Sequence, residues 1–233
     1  MEKFLRSLYH ALPSPPSTNY NLNQTGIDVY SLVPLGGIVL DIGSGVSKSN
    51  YAFASVRPDL RSLRFLNLDL ESGPCVNLRG DVHDLPLKSD SVGCVTCIST
   101  LEYVRDPQRA IAEIYRILKP GGLVYLNVPF VFPYHPPPED LYRFSTSGIR
   151  TLAERFEEIR AGFNRGPAST FCHLFVRFLA ISLCFHSRRT YGILVDLFTW
   201  ILFWIKYLDR WIGRYEVARV IYSGTFFLGR KPA

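Results

Sequence analysis

Val39-Leu40-Asp41-Ile42-Gly43-Ser44-Gly45-Val46-Ser47 sets a carboxylate near the end of an apolar strand and two glycines in the turn that follows. Glycine lets the backbone take φ values closed to other residues, and it lets a ligand approach the main chain without meeting a Cβ. Asp41 is expected to face the crevice beyond the strand's carboxyl end, where open α/β sheets bind ligands. A P-loop would close the turn with Gly-Lys-Ser/Thr, and a dinucleotide fingerprint would place a third glycine where Lys48 stands; neither is present. Asp41 would also repel a phosphate seated on a helix N-terminus. The pattern suits a nucleoside that is cationic and carries no phosphate.

A second reactive group lies in Pro133-Tyr134-His135-Pro136-Pro137-Pro138-Glu139-Asp140-Leu141-Tyr142-Arg143-Phe144-Ser145. Consecutive prolines stiffen this loop, which presents His, Asp and Arg at short spacing. His135 is the candidate general base for a hydroxyl or amine, because an unperturbed imidazole titrates near neutrality. Asp140 is placed to orient it, and Arg143 could pair with an anionic substrate group or with Asp140. The alternative is structural: Asp140 caps the following helix and Arg143 pairs on the surface.

Asp-x-Gly-x-Gly after an apolar strand resembles motif I of the class I S-adenosylmethionine-dependent methyltransferases, whose ligand has an ammonium and a sulfonium. The likeness continues in order and spacing. Leu63 to Asp69 reads as a second strand ending in an acid, where this family binds ribose hydroxyls; a carboxylate accepts two hydrogens at once. Gly80-Asp81-Val82-His83-Asp84-Leu85-Pro86-Leu87 resembles the motif whose acid and following amide meet the adenine. Val92 to Ser99 is an apolar run suited to a buried parallel strand, followed by Thr100-Leu101-Glu102-Tyr103-Val104, in which Tyr103 stands where the family commonly has His. Asp106-Pro107 opens a helix with Ala110, Ile111, Ile114, Ile117 and Leu118 at helical spacing, and Lys119-Pro120-Gly121-Gly122 is expected to end it in a turn before a strand over Leu123 to Val128. That last string is typical of the family. The resemblance covers residues 37 to 130 and implies S-adenosylmethionine as cofactor, held by Asp41, Gly43, Ser44, Gly45, Asp69, Leu70, Asp81, Val82 and Ser99, with His135, Asp140 and Arg143 as catalytic candidates. The chemistry implied is methyl transfer to a small or lipid- or sugar-linked acceptor at oxygen, an in-line displacement that mainly requires alignment and exclusion of water. A non-catalytic scaffold of the same fold is the alternative.

These residues need a framework to hold them. Strands alternating with helical segments predict an α/β fold, a Rossmann-like, doubly wound, mostly parallel seven-stranded sheet with an added C-terminal helical segment. The expected divisions are an N-terminal helix and linker (1–36), the cofactor-binding core (37–160) and a helical apolar and basic insertion with the closing strands (161–233). With 233 residues, 47% hydrophobic and 20% charged, the chain can bury a sizeable core and is not disordered. Ten residues separate Asp69 from Gly80, too few for a crossover helix, so a loop is expected there. Phe4, Leu5, Leu8 and Leu12 share a helical face that could cover the cofactor or pack on the body, and residues 13–26 read as a linker. The N-terminal segment is too polar for a signal-peptide core. Cysteines at 75, 94, 97, 172 and 184 are odd in number and scattered, which disfavours a disulfide framework and suggests a reducing, cytoplasmic compartment. Cys94 and Cys97, three apart in a strand, should point to opposite faces rather than form a redox or metal pair.

The charge excess sits at the C-terminal end. Residues 160–233 hold eleven basic residues against three acids, +8, while residues 1–159 carry −2 of the total of +6. Phe171 to Phe185 and Tyr191 to Ile205 are apolar runs shorter than the roughly 18–20 residues of a spanning helix. With Arg188, Arg189, Lys206 and Arg210 at their flanks and Trp200, Trp204 and Trp211 near one end, they read as interfacial helices attracted to anionic lipid, peripheral at the inner face of a membrane. Packing on the sheet, a dimer interface and a re-entrant hairpin are the alternatives. Nucleic acid is disfavoured because the aromatics lie in greasy runs. Val220 to Arg230 is expected to form two closing strands around Ser223-Gly224.

Overall fold

Each short apolar run of the first half becomes a strand of one sheet. In the computed structural model, which describes residues 14–19, 32, 33, 37–45, 63–136 and 138–233, the strands are β1 (Ile38–Ile42), β2 (Arg64–Asp69), β3 (Leu78–Arg79), β4 (Val92–Ile98), β5 (Leu118–Pro129), β6 (Glu157–Arg165) and β7 (Gly224–Arg230). Their order is β3-β2-β1-β4-β5-β7-β6. The first five are parallel, and β7 runs antiparallel to β5. This is the expected mostly parallel, doubly wound sheet, whose order reverses between β1 and β4 and so leaves a crevice at their carboxyl ends. The N-terminal helix, most of the linker and Lys48 lie outside the described residues.

The pleat sorts side chains into two cores. Leu40, Ile42, Val95, Cys97, Val124 and Leu126 pack on one face; Val39, Phe65, Cys94, Leu123, Tyr125 and Phe226 pack on the other. Cys94 and Cys97 are therefore buried on opposite faces, and burial pushes the Cys94 thiol up to about 12 and Cys97 higher still. They are structural.

Helix α1 (Pro107–Ile117) covers the first face with Ala110, Ile111, Ile114 and Ile117. Its start follows from Asp106, whose side chain accepts from the Arg109 amide at 3.0 Å, and from Pro107 at the first helical position. Its end is secured from the far end of the chain. Lys231 Nζ donates to the carbonyls of Tyr115 (2.9 Å) and Leu118 (2.7 Å) and pairs with Asp90 at 2.7 Å. The string Lys119-Pro120-Gly121-Gly122 is not a turn between helix and strand, as expected, but part of β5. Val92 pairs with Leu118 and Cys94 with Leu123, so four residues of β5 face one of β4, a bulge that Gly121 permits with φ +75.

The link from β2 to β3 is a loop, as its length required. A parallel crossover normally takes about a dozen residues or more, and residues 70–77 manage it because Asn67 grips them. Its amide accepts support from Asn77 in both directions: Asn67 N donates to Asn77 Oδ1 and Asn77 N to Asn67 O, each at 2.9 Å, while Asn67 Nδ2 donates to the Cys75 carbonyl at 2.8 Å.

The chain divides into two compact units, one of residues 23–164 and 222–233 and the other of 1–22 and 165–221. The hairpin expected around Ser223-Gly224 does not form. Residues Glu216–Val220 make a 3-10 turn, with Val220 exposed, and β7 instead sits between β5 and the earlier strand β6. Thr225 Oγ1 donates to the Gly162 carbonyl at 2.9 Å, and a Cβ on Gly224 would come 2.6 Å from Asn164 Oδ1, so a side chain there would push the Asn164 amide aside. Between Ile149-bearing helix α2 (Thr146–Leu152) and the sheet, the first unit closes its core.

The second unit contains α3 (Pro167–Leu183) and α4 (Arg188–Leu202). Beyond α4 the helical run continues through a 3-10 stretch and a last turn, so that Arg188–Ile212 forms 25 residues, long and apolar enough to cross a membrane by length and composition. The expectation of a run too short to span is thereby corrected. Lys206 and Asp209 end the apolar run in the sequence, yet both are turned inward. Asp209 accepts from the amides of Ala168 (2.8 Å) and Ser169 (2.9 Å), capping α3 from a distant segment because Gly166 has no side chain to do so.

Replacing Asp106 by Ala should lower stability by about 1 kcal/mol through loss of the cap, read as a lower urea midpoint at unchanged slope, and Asp106→Asn should restore most of it.

Candidate functional site

The turn after β1 holds three strand ends together. Gly43 and Gly45 both have positive φ, +71 and +76. A Cβ on Gly43 would sit 2.1 Å from Thr100 Oγ1, which itself donates to the Ile42 carbonyl at 3.2 Å, so glycine is required twice over. The amides of Gly43 and Ser44 donate to the Leu68 carbonyl at 2.8 and 3.2 Å, and the Gly45 amide donates to Asp69 Oδ2 at 2.9 Å. Asp69 Oδ1 accepts from the Glu71 amide at 3.1 Å. The acid at the end of β2 is thus fixed beside the turn with lone pairs to spare. Ser44 Oγ is buried without a hydrogen-bond partner, a polar atom beneath the turn that a ligand could satisfy.

Asp41 differs from the expectation. It is 1% exposed and accepts from Thr96 Oγ1 at 2.7 Å, lying in register between Asn67 and Thr96 on one face of the sheet. Ile42, not Asp41, is the last residue of β1, and the alternation of the pleat turns the carboxylate into the sheet face rather than out over the strand end. Its described role is to tie β1 to β4.

Asp81 lies in a tight turn, bridged to Asp84, with its Oδ1 accepting from the His83 amide (2.9 Å) and ring Nδ1 (2.6 Å). Because the Asp106 amide donates to His83 Nε2 at 3.2 Å, Nδ1 carries the ring proton. The His83 amide, then its ring, hold the Asp81 carboxyl below the usual carboxylate range. Val82 is buried in the core, whereas Leu70 is 63% exposed just past Asp69, an apolar surface available to a flat ring. Ser99, at the end of β4, takes φ +51 while its amide donates to the Asn127 carbonyl at 2.8 Å. Such strain in a non-glycine residue is common at binding sites.

In the loop after β5, Arg143 takes Asp140, one of its two expected partners, while the imidazole does not. Both Nη atoms of Arg143 donate to the two carboxylate oxygens of Asp140, and Asp140 Oδ2 also accepts from the backbone amide of His135 at 2.9 Å. Asp140 therefore shapes the loop and does not orient the imidazole. Arg143 holds its carboxyl below the usual range. Nor does Asp140 cap α2: Ser145 does, accepting from the Gly148 amide at 3.1 Å. The imidazole is met instead by Tyr103, whose hydroxyl lies 2.7 Å from His135 Nδ1. Tyr103 belongs to a 3-10 turn, Leu101–Tyr103, that follows Thr100 and so reaches from the glycine turn to the loop. Burial, then the charge of Glu102, push its hydroxyl up.

Glu102 is the residue sequence reasoning missed. Its backbone carbonyl accepts from the amides of Leu141 (2.8 Å) and Tyr142 (3.1 Å), pinning the loop. The residue is 2% exposed, its Oε2 has no partner, and burial raises its carboxyl from 4.5 to about 7, against the opposing pull of Arg143. An acid four residues beyond the carboxyl end of an apolar strand was the available signal. With its native pKa above its unfolded one, Glu102 favours the folded state fully only below about pH 4.5, and this contribution is lost as pH rises through 7. Between pH 5 and 8 the wild type should lose on the order of 2–3 kcal/mol relative to Glu102→Gln, measured by urea unfolding of both proteins at each pH.

Comparison with known proteins bears on this geometry. Residues 40–126 match the profile of a methyltransferase domain. Over 93 residues the chain is 36% identical to a demethylmenaquinone methyltransferase of Streptomyces avermitilis, covering 38% of this chain and 40% of that protein. It is 27% identical over 142 residues to the chloroplastic 2-methyl-6-phytyl-1,4-hydroquinone methyltransferase of Spinacia oleracea, covering 56% and 40%. The chain spans about two-fifths of the length of these relatives. Among solved structures, Haemonchus contortus phosphoethanolamine N-methyltransferase 2, in complex with phosphomonomethylethanolamine and S-adenosylhomocysteine, aligns with a TM-score of 0.58 at 18% identity over 92% of this chain and 55% of that one, a likeness of fold. The matched block begins in β1 and ends in β5, and so contains the glycine turn with the acids that flank it; over residues 40–126 this chain is similar to a methyltransferase domain.

Proposed function

We propose that this protein transfers a methyl group from S-adenosylmethionine to a hydroxyl oxygen of a small, lipid- or sugar-linked acceptor, working at a membrane face. The observation that carries the reading is the Gly43–Gly45 turn with Asp69 fixed against it. Bound S-adenosylmethionine would supply a methyl group on a sulfonium sulfur. Asp69 would accept the ribose hydroxyls, Leu70 and the Asp81-Val82 pair would meet the adenine, and the glycine turn would admit the remainder close to its amides. The buried, partnerless Ser44 hydroxyl fits such a ligand.

The protein's own part is to hold the acceptor and take its proton. In the tautomer whose Nδ1–H is donated to the Tyr103 hydroxyl oxygen, His135 Nε2 accepts the proton of the acceptor hydroxyl, and Tyr103 then stabilises the charged ring. Asp140, Arg143 and the Glu102 carbonyl keep His135 in place. An oxygen acceptor is what this arrangement suits, because a hydroxyl must shed a proton as it is methylated. The matched quinone methyltransferases lend support to an apolar small molecule.

Incubating the protein with labelled S-adenosylmethionine and fractions of total lipid, glycolipid and small metabolites tests the reading; label should enter a small, base-stable ether fraction, and incorporation into none of them by a protein that binds the cofactor would refute it. Asp69→Ala should weaken S-adenosylmethionine and S-adenosylhomocysteine binding by ~1.5–3 kcal/mol in calorimetry. On the identified acceptor, His135→Ala should cut turnover by about a hundredfold or more with cofactor affinity nearly unchanged; unchanged turnover would assign the loop to structure alone.

A further inference from the structure

The unit of residues 165–221 is built inside out for water. Along α3, Ala168, Cys172, Val176 and Ala180 recur every four residues and are buried, whereas Phe171, Leu174, Phe178 and Ile181 point outward, 38–63% exposed. Small residues face inward and large apolar ones face out. The longer run Arg188–Ile212 repeats the arrangement: Ile193, Leu197, Trp200, Trp204, Tyr207 and Trp211 fall at helical spacing on one face and are 43–62% exposed. Its inward positions go to polar groups. Thr199 is buried, Asp209 caps α3, and Lys206 Nζ donates to the Ser17 carbonyl at 2.6 Å. A soluble helix pair sorts its residues the other way, with the large apolar stripe inside. Two full-length apolar stripes also exceed the patch an ordinary monomer leaves in water.

What covers these stripes is indicated by charge. Residues 165–221 carry eight basic residues against Asp196, Asp209 and Glu216. A second copy of the same surface would bring like charges together, whereas an anionic lipid headgroup layer neutralises them. The three tryptophans follow one another along the end of the run that also holds Arg210, with Arg214 two residues beyond it. This is how an apolar helix meets the headgroup boundary, with amphipathic rings and basic side chains at the same depth. We infer that residues 165–221 form a helical unit that embeds its outward apolar faces in the acyl layer of an anionic bilayer, with Trp200, Trp204 and Trp211 anchored at headgroup depth. The unit is thus embedded rather than adsorbed, and cations assist an attachment that apolar area sustains.

The full-length protein is tested with vesicles of phosphatidylcholine alone and of phosphatidylcholine with about one quarter phosphatidylglycerol. Flotation should recover the protein with the anionic vesicles about tenfold better than with the neutral ones at low salt. Once bound, it should resist high salt and alkaline carbonate, and lipids brominated on the acyl chain should quench its tryptophan fluorescence. Trp200→Ser with Trp204→Ser should lower partitioning about tenfold or more while calorimetric binding of S-adenosylmethionine is retained. Phe178→Ser with Ile181→Ser, which leaves the tryptophans in place, should do the same through α3. Complete release by salt without quenching would overturn embedding. So would a wild-type protein that ignores both vesicles and runs as a tight dimer whose dissociation constant rises in these variants. Cofactor binding is read separately, so either failure leaves the methyltransferase reading standing.

Discussion

Everything at the carboxyl edge of the sheet depends on the absence of one carbon atom. With no Cβ on Gly43, Thr100 can lie against the turn, donate to the Ile42 carbonyl and start the 3-10 turn that carries Glu102 and Tyr103. On the other side, the same turn gives its amides to Leu68 and Asp69. Three strand ends, β1, β2 and β4, are locked in one motif, and the reactive side chains hang from it. A side chain at Gly43 would not merely crowd a ligand. It would part the strand that ends in Asp69 from the turn that leads to the loop.

The second layer of organisation is the loop after β5. Prolines stiffen it, but its shape comes from three hydrogen-bonded clamps: the Glu102 carbonyl on Leu141 and Tyr142, the Asp140 carboxylate on Arg143 and the His135 amide, and the Tyr142 hydroxyl donating to the Arg105 carbonyl at 3.0 Å. The result leaves the imidazole to Tyr103. Tyr103 is met by a histidine brought in from the loop, so that an imidazole and a hydroxyl end side by side on different elements. Beneath them the buried carboxyl of Glu102 keeps its proton to near neutrality, which spares the interior an uncompensated charge.

The local patterns were readable in the sequence. Apolar runs with glycine turns located β1, β2, β4 and the second half of β5, the Asp106-Pro107 pair located the start of α1, and the spacing from Asp69 to Gly80 excluded a helix. What escaped were facts decided by tertiary partners. Asp41 looked like a ligand contact because its place at the strand end was visible, while its hydrogen bond to Thr96, fifty-five residues away, was not. Asp140 looked like the imidazole's orienter because sequence shows proximity but not which atom a carboxylate will meet. Lys206 looked like a basic flank that ends an apolar run, since charge in a sequence does not say which way a side chain turns. The strand-like residues before Ser223 failed to pair because β6, laid down much earlier, already held the place beside β7.

That placement has a consequence for how the protein is made. β7 is the last strand of the chain yet an interior strand of the sheet, between β5 and β6. Until residues 224–230 leave the ribosome, β5 and β6 have no common neighbour, and Lys231 cannot reach the end of α1. The helical unit of residues 165–221 is synthesised before that closure, so its exposed apolar faces emerge while the sheet is still split between β5 and β6. Non-local strand pairing of this kind is slow to form and exposed to aggregation in the interval. The order of translation therefore sets the order in which the two halves of the chain can mature.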